Sequence, residues 1–99
     1  MEKVMATYYG EEQVLTLIMV RVDTKEVDSI AREIAKNENV EDVYLVTGDI
    51  DILIKARFSN YNHFKEFMVT KLSHIPYVKD SKTMMVVSTY KEKGALKED

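Results

Sequence analysis

Hydrophobic periodicity changes along this chain in an order that few folds accommodate. Residues 13–22 (Gln-Val-Leu-Thr-Leu-Ile-Met-Val-Arg-Val) are rich in β-branched and aliphatic side chains and read as a strand. Val27, Ile30, Ala31, Ile34 and Ala35 then recur at helical spacing, so 25–36 predicts an amphipathic helix. It opens on Asp23-Thr24-Lys25-Glu26, a variant of the capping box, and closes at Asn37-Glu38-Asn39. Residues 43–47 and 50–58 are two strand-like runs on either side of Gly48-Asp49. That dipeptide signals a tight hairpin, because glycine supplies the positive φ a primed turn needs. Ser59 or Asn60 is placed to cap a second helix, in which Tyr61, Phe64, Phe67, Met68 and Leu72 share a face, and Pro76 stops it. Residues 78–90 read as the last strand and 91–99 as a polar tail that frays. Residues 1–10 fit either a short edge strand or an arm reaching a neighbour.

The resulting order, β-α-β-β-α-β, is the split arrangement of α+β ferredoxin-like folds with a four-stranded antiparallel sheet. Ninety-nine residues allow one domain, 1–99, with its core at about 14–90. Such a small domain has a modest core, which oligomerisation would extend. Both helices cover one face of the sheet, and an outer face in water should alternate apolar with polar residues. Here seven of the nine residues from Val14 to Val22 are apolar, and Ile52-Leu53-Ile54 and Met84-Met85-Val86-Val87 are apolar on both faces. Four strands about 4.8 Å apart and about 20 Å long present a face of about 400 Å². An apolar patch of that size marks an interaction surface. Ten N-terminal residues are too few to cover it, so sheet-to-sheet dimerisation, giving a dimeric α+β barrel, is the expectation.

No cysteine is present, which excludes disulfides, zinc-thiolate sites and thiol nucleophiles. The first residues show no signal-peptide pattern. The longest apolar stretch, near Leu15 to Val22, is interrupted by Thr16 and Arg21 and falls short of the roughly 20 residues of a membrane helix. A cytoplasmic location is the default. The net charge is −3, lysines and acids alternate, and the only arginines are Arg21, Arg32 and Arg57, so there is no basic stripe for nucleic acid.

Enzymatic motifs are missing. There is no nucleophile elbow, phosphate-cradling loop or zinc-binding helix pattern, and no cofactor, metal or catalytic residue is expected. His63 and His74, if both helical, lie about 16 Å apart along the axis, too far to share a metal. The one concentrated polar constellation is Val46-Thr47-Gly48-Asp49-Ile50-Asp51. A glycine-centred tip offers bare backbone N–H groups to a carboxylate and Asp side chains to an ammonium, the two needs of a free amino acid. Read as local structure, Gly48-Asp49 merely makes a turn within which Asp51 bonds. The residues alone leave the two readings level.

The run Val46-Thr47-Gly48-Asp49-Ile50-Asp51-Ile52-Leu53-Ile54-Lys55 resembles the Val-Thr-Gly-x-Tyr-Asp-hydrophobic stretch of the Lrp/AsnC family of amino-acid-responsive regulators, in their C-terminal ligand-binding (RAM) domain. Val40-Glu41-Asp42-Val43-Tyr44, Leu72 to Val78 and Thr83 to Val87 add to the likeness, which spans about Val14 to Tyr90. The family's aromatic residue after Gly-x is Ile50 here. Full-length members carry an N-terminal helix-turn-helix domain for which this chain has no room, so a stand-alone version is expected. The resemblance implies dimers packed sheet to sheet, rings of dimers, and amino-acid effectors held between dimers. It places Thr47, Gly48, Asp49 and Asp51 in the effector site, completed near Ser81 and Thr83 of a neighbouring subunit.

The function expected is therefore an amino-acid-binding, self-associating accessory to transcription that lacks its own DNA-binding domain and works with itself or with full-length family members. The alternatives are a cofactor-free monooxygenase of the same architecture, which needs an acid-base pocket between sheet and helices, and a purely structural oligomerisation module.

Overall fold

A computed structural model of the chain describes residues 13–97. Within them the elements run β1 (Val14–Val22), α1 (Val27–Ala35), β2 (Val40–Leu45), β3 (Ile52–Phe58), α2 (Tyr61–Thr70), β4 (Val78–Met85), β5 (Lys91–Glu92) and β6 (Ala95–Leu96). The first four strands form one sheet in the order β2-β3-β1-β4, with every neighbour antiparallel. This is the ferredoxin-like α+β arrangement expected from the hydrophobic pattern. The arm or edge strand expected at 1–10 lies outside the described residues.

Register decides which side chains meet the helices. Val14 stands opposite Phe58, Thr16 opposite Ala56, Ile18 opposite Ile54 and Val20 opposite Ile52, and all eight are at most 2% exposed. Ile18, Val20, Ile52, Ile54, Ala56 and Phe58 form one core with Ile30 and Ile34 of α1 and Phe64 and Phe67 of α2. Phe58 packs edge-on against Phe64 at 5.6 Å and tilted against Phe67 at 5.2 Å between ring centres, geometries that aromatic pairs favour. Thr16 is the one buried polar residue among those described, and its hydroxyl donates to the Ala56 carbonyl at 3.0 Å. A threonine is tolerated there because no polar atom is left unsatisfied.

The caps follow the sequence with one substitution of partner. Asn60 Oδ1 accepts the His63 N–H at 2.9 Å and starts α2. Asp23 Oδ1 accepts the Lys25 N–H at 3.1 Å, opening a single 3₁₀ turn, Thr24–Glu26, before α1. The reciprocal arm of a capping box is not made. The Asp23 N–H donates instead to the Tyr77 carbonyl at 3.0 Å, tying the start of the first helix to the start of β4. Tyr77 holds φ at +72°, a left-handed conformation unusual for a bulky residue.

Two expectations are corrected at the C-terminal end. β4 ends at Met85, not Tyr90; Val86 adds one further bond to β1, its N–H donating to the Leu15 carbonyl at 2.9 Å, and Val87 lies beyond the sheet. The supposed polar tail contains a hairpin, β5 paired with β6. Its turn is Lys93-Gly94 with φ of +52° and +82°, the positive pair that a two-residue primed turn requires.

The outer face of the sheet is zoned. Its middle carries Leu17, Met19 and Leu53, flanked by Met84 and Tyr44. One end carries Lys55 and Arg57, and the other carries Arg21 opposite Asp80. The two-sided apolar character read from the sequence is therefore concentrated in a central band, with Leu15 opposite Arg57 at the cationic end. At the cationic end, Glu41, the extra residue in a register shift of β2, pairs with Arg57 (Nε–Oε2 2.6 Å). Glu92 of β5 meets both Lys55 Nζ at 2.5 Å and Arg57 Nη2 at 2.8 Å. The hairpin thus lies over that end of the outer face.

Candidate functional site

β2 and β3 are joined by a longer tip than the two-residue turn expected. Val46 N–H donates to the Asp51 carbonyl at 2.9 Å, which extends the ladder by one pair and leaves Thr47-Gly48-Asp49-Ile50 as the loop. Gly48 has φ of +130°, where a side chain is strained, although nothing lies within 4 Å of the position its Cβ would take. The requirement for glycine here is conformational, not steric.

Asp51 fastens this tip to the sheet. Its N–H donates to the Val20 carbonyl and its Oδ2 accepts the Val22 N–H, both at 2.9 Å. One carboxylate oxygen is thereby engaged in ordering the end of β1. Asp49, by contrast, is exposed and makes no hydrogen bond or ion pair among the described residues.

Between the tip and the adjoining ends of β1 and β4 lies an open cleft of about 790 Å³. Met19, Val22 and Ile50 supply its apolar lining, and Arg21, Thr24, Asp49, Asp51, Lys79, Asp80 and Lys82 its polar groups. Arg21 Nη1 and Asp80 Oδ2, opposite each other on β1 and β4, pair at 3.1 Å. Lys79 sits at the register shift of β4, and Lys82 stands opposite Met19. Neither lysine has a partner among the described residues. The cleft therefore offers free cations and a free carboxylate side by side over a partly apolar floor, an arrangement able to hold a zwitterion with an apolar stem.

Of the residues singled out from the sequence, Gly48, Asp49 and Asp51 line this cleft, and Thr47 is exposed beside it. Ser81 and Thr83 stand opposite Val20 and Ile18, on the helix side of β4, and so turn away from the cleft of their own chain. Arg21, Lys79, Asp80 and Lys82 were missed. The alternation of Asp80 and Lys82 with Ser81 and Thr83 was the signal that could have found two of them, since strand residues two apart share a face. A second hollow of about 610 Å³ lies between the helices, but its floor of Ile30, Ile34 and Phe67 is only 3–8% exposed. Ile75, Pro76 and Tyr77 complete its apolar lining, and no residue of the glycine-centred run borders it. Among the described residues no three of His, Asp and Glu gather as a metal would need, and no helix is long and apolar enough to cross a membrane.

The family model of the Lrp/AsnC ligand-binding domain matches residues 15–96. The chain belongs to this family. It is 33% identical over 78 residues to the HTH-type transcriptional regulator FL11 of Pyrococcus horikoshii, a stretch covering 79% of this chain and 51% of that protein. To the uncharacterised HTH-type transcriptional regulator YugG of Bacillus subtilis it is 31% identical over 88 residues, covering 86% and 53%. This Lrp/AsnC chain thus spans about half the length of the curated relatives it matches. In fold it is similar to E. coli AsnC (TM-score 0.76, 18% identity, covering 81% of this chain and 54% of that one). It is also similar to the regulator NMB0573 of Neisseria meningitidis in its complex with L-Met (0.75, 24%, 85% and 56%), and to FFRP-DM1 (0.71, 18%, 74% and 97%). The RAM-domain assignment drawn from Val46 to Lys55 is thereby established, and the domain is a regulatory effector-binding module.

Proposed function

We propose that this domain binds a free amino acid in the cleft between the Gly48 tip and the ends of β1 and β4, and that it works in transcriptional regulation by self-association through its outer sheet face. The observation that carries the reading is the juxtaposition, in one cleft beside the family's glycine-centred run, of Asp49 with Lys79 and Lys82, none of which has a partner among the described residues. Asp49 suits the α-ammonium and a lysine the α-carboxylate, while Met19 and Ile50 lie where an aliphatic stem would pack. Thr47 and Gly48 contribute backbone at the tip, and Ser81 and Thr83, turned from the cleft of their own chain, act on that of a neighbouring subunit. An enzyme reading finds less support, because among the described residues the one buried polar side chain between sheet and helices is Thr16, already bonded to Ala56. The L-Met bound by the Neisseria regulator is consistent with an amino-acid ligand.

Calorimetric titration against a panel of amino acids tests this. Saturable binding of at least one is expected, weakened about ten-fold in Asp49→Ala, as loss of a charged hydrogen bond implies. No binding across the panel would overturn it.

A further inference from the structure

Toward the C-terminal ends of α1 and α2 the helical layer opens into the hollow of about 610 Å³, a volume typical of small-molecule sites. Ile30, Ile34 and Phe67 form its floor, and Ile75, Pro76 and Tyr77, on the way into β4, form its wall. The backbone fixes that wall. Pro76 has a locked φ, and Tyr77 stands at φ +72° with its carbonyl accepting the Asp23 N–H at 3.0 Å. A bulky residue persists in so strained a region only where its surroundings hold it, and such residues gather at binding sites. The Tyr77 side chain is no part of the core, for the residue is 56% exposed and borders the hollow. The polar groups around the hollow divide into engaged and free. The Ser29 hydroxyl donates to the Glu26 carbonyl at 3.0 Å, the Thr70 hydroxyl donates to the Glu66 carbonyl at 2.7 Å, and Asn37 Oδ1 accepts the Asn39 N–H at 2.8 Å. Glu33, the one carboxylate bordering the hollow among the described residues, lies 3.6 Å from Lys36 Nζ. Lys71 has no partner among the described residues, and neither has Nε2 of His74, whose Nδ1 faces Ser73 Oγ at 3.3 Å. In a chain of net charge −3, the hollow thus sets two lysines and a histidine against a single glutamate.

We propose that this hollow is a second ligand site, which takes a small carboxylic acid with an apolar body and no ammonium group. The carboxylate meets Lys71, with His74 beside it, and the apolar body packs between Phe67, Ile75 and the Tyr77 ring. A few well-placed polar groups over an apolar floor are the usual build of such a site. An amino acid suits it less well, because the only bordering carboxylate among the described residues, Glu33, already pairs with Lys36 and an ammonium would have to displace it. The cleft at the Gly48 tip differs on this point, since Asp49 stands free there. The two cavities share no lining residue, so the inference does not rest on the amino-acid reading of the cleft. It also gives the Tyr77 ring a use at a backbone position that glycine would occupy without strain.

Titration of the whole chain with 3-phenylpropionate, the skeleton of phenylalanine without its ammonium group, followed by amide NMR shifts, tests this. Saturable shifts are expected at 29–37 and 70–77, with phenylalanine about ten-fold weaker at the same amides. Lys71→Gln, an exposed change, should weaken 3-phenylpropionate about ten-fold through loss of a charged hydrogen bond. Tyr77→Gly, which keeps the carbonyl that holds Asp23, should weaken it about three- to ten-fold through loss of the ring contact. The inference is overturned if no saturable shift appears at 29–37 and 70–77, or if the shifts fall instead at 48–51 and 79–82. Phenylalanine binding there as tightly as 3-phenylpropionate, or unchanged affinity in either variant, would overturn it equally.

Discussion

Asp51 accepts the Val22 backbone N–H through Oδ2 at 2.9 Å, so a residue of the glycine-centred run orders the last residue of β1. The same carboxylate lines the cleft. Asp51 therefore serves the fold while bordering the cleft, whereas Asp49, two residues away and exposed, has no structural duty among the described contacts.

Variants at the two positions should separate these roles. Asp51→Ala is expected to cost about 1.5 kcal/mol, the lower end for a hydrogen bond to a charged acceptor because the contact is partly solvated. Asp49→Ala should stay within about 0.5 kcal/mol of wild type, as surface changes do. Urea denaturation measures both, and equal stabilities for the two variants would remove Asp51 from its anchoring role.

Gly48 gives a second measurement. At φ of +130° any L side chain is strained, yet no atom stands in its way. Gly48→Ala should therefore already cost about 1–3 kcal/mol, and Gly48→Val more, because a β-branched residue resists this region further. A steric site would instead penalise valine and spare alanine. Denaturation midpoints of the pair decide between them.

Tyr77 presents the opposite case, a side chain where glycine would be relaxed. Its φ is +72°, and what the fold uses is its carbonyl, which accepts the Asp23 N–H. Tyr77→Gly keeps that carbonyl and removes the left-handed strain, for which about 1 kcal/mol of stabilisation is expected, offset in part by glycine's freedom in the unfolded chain. Thermal unfolding should show a midpoint raised by a few degrees. A lowered midpoint would mean that the Tyr77 ring contributes more than its backbone costs.

The ion cluster under the hairpin sets a pH dependence. The hydrogen bond from Lys55, aided by Arg57, holds the Glu92 carboxyl below its ordinary range, and the hydrogen bond from Arg57 does the same for Glu41. For carboxylates whose folded values are depressed, the contribution to stability is complete above the unfolded value near 4.5 and is lost as pH falls through the folded value. The hairpin should thus stay docked at neutral pH and loosen in acid, below about 4.5. Hydrogen exchange at Lys91 to Leu96 across this range reads the change. Glu92→Gln should show the loosened exchange at neutral pH, and a hairpin equally protected at pH 3 and pH 7 would sink the prediction.

The sequence by itself determined the order of elements through β4, the first helix start at Asp23 and the second at Ser59 or Asn60, the stop before Pro76, and the run from Val46 to Lys55 that carries the family likeness. Each is a local property: a hydrophobic period, a cap bonding two or three residues on, or a glycine holding a turn. Tertiary structure decided the rest. Whether Asp80 and Lys82 or Ser81 and Thr83 meet the cleft depends on which way β4 is set against β1, and a one-residue slip would exchange the two pairs. Arg21 finds Asp80 across 59 residues, and Glu92 finds Lys55 across 37. Both pairings require the sheet to be assembled first. The short strands at Lys91–Glu92 and Ala95–Leu96 showed no period long enough to read, because the Lys93-Gly94 turn is anchored not by its own pattern but by charges on another strand.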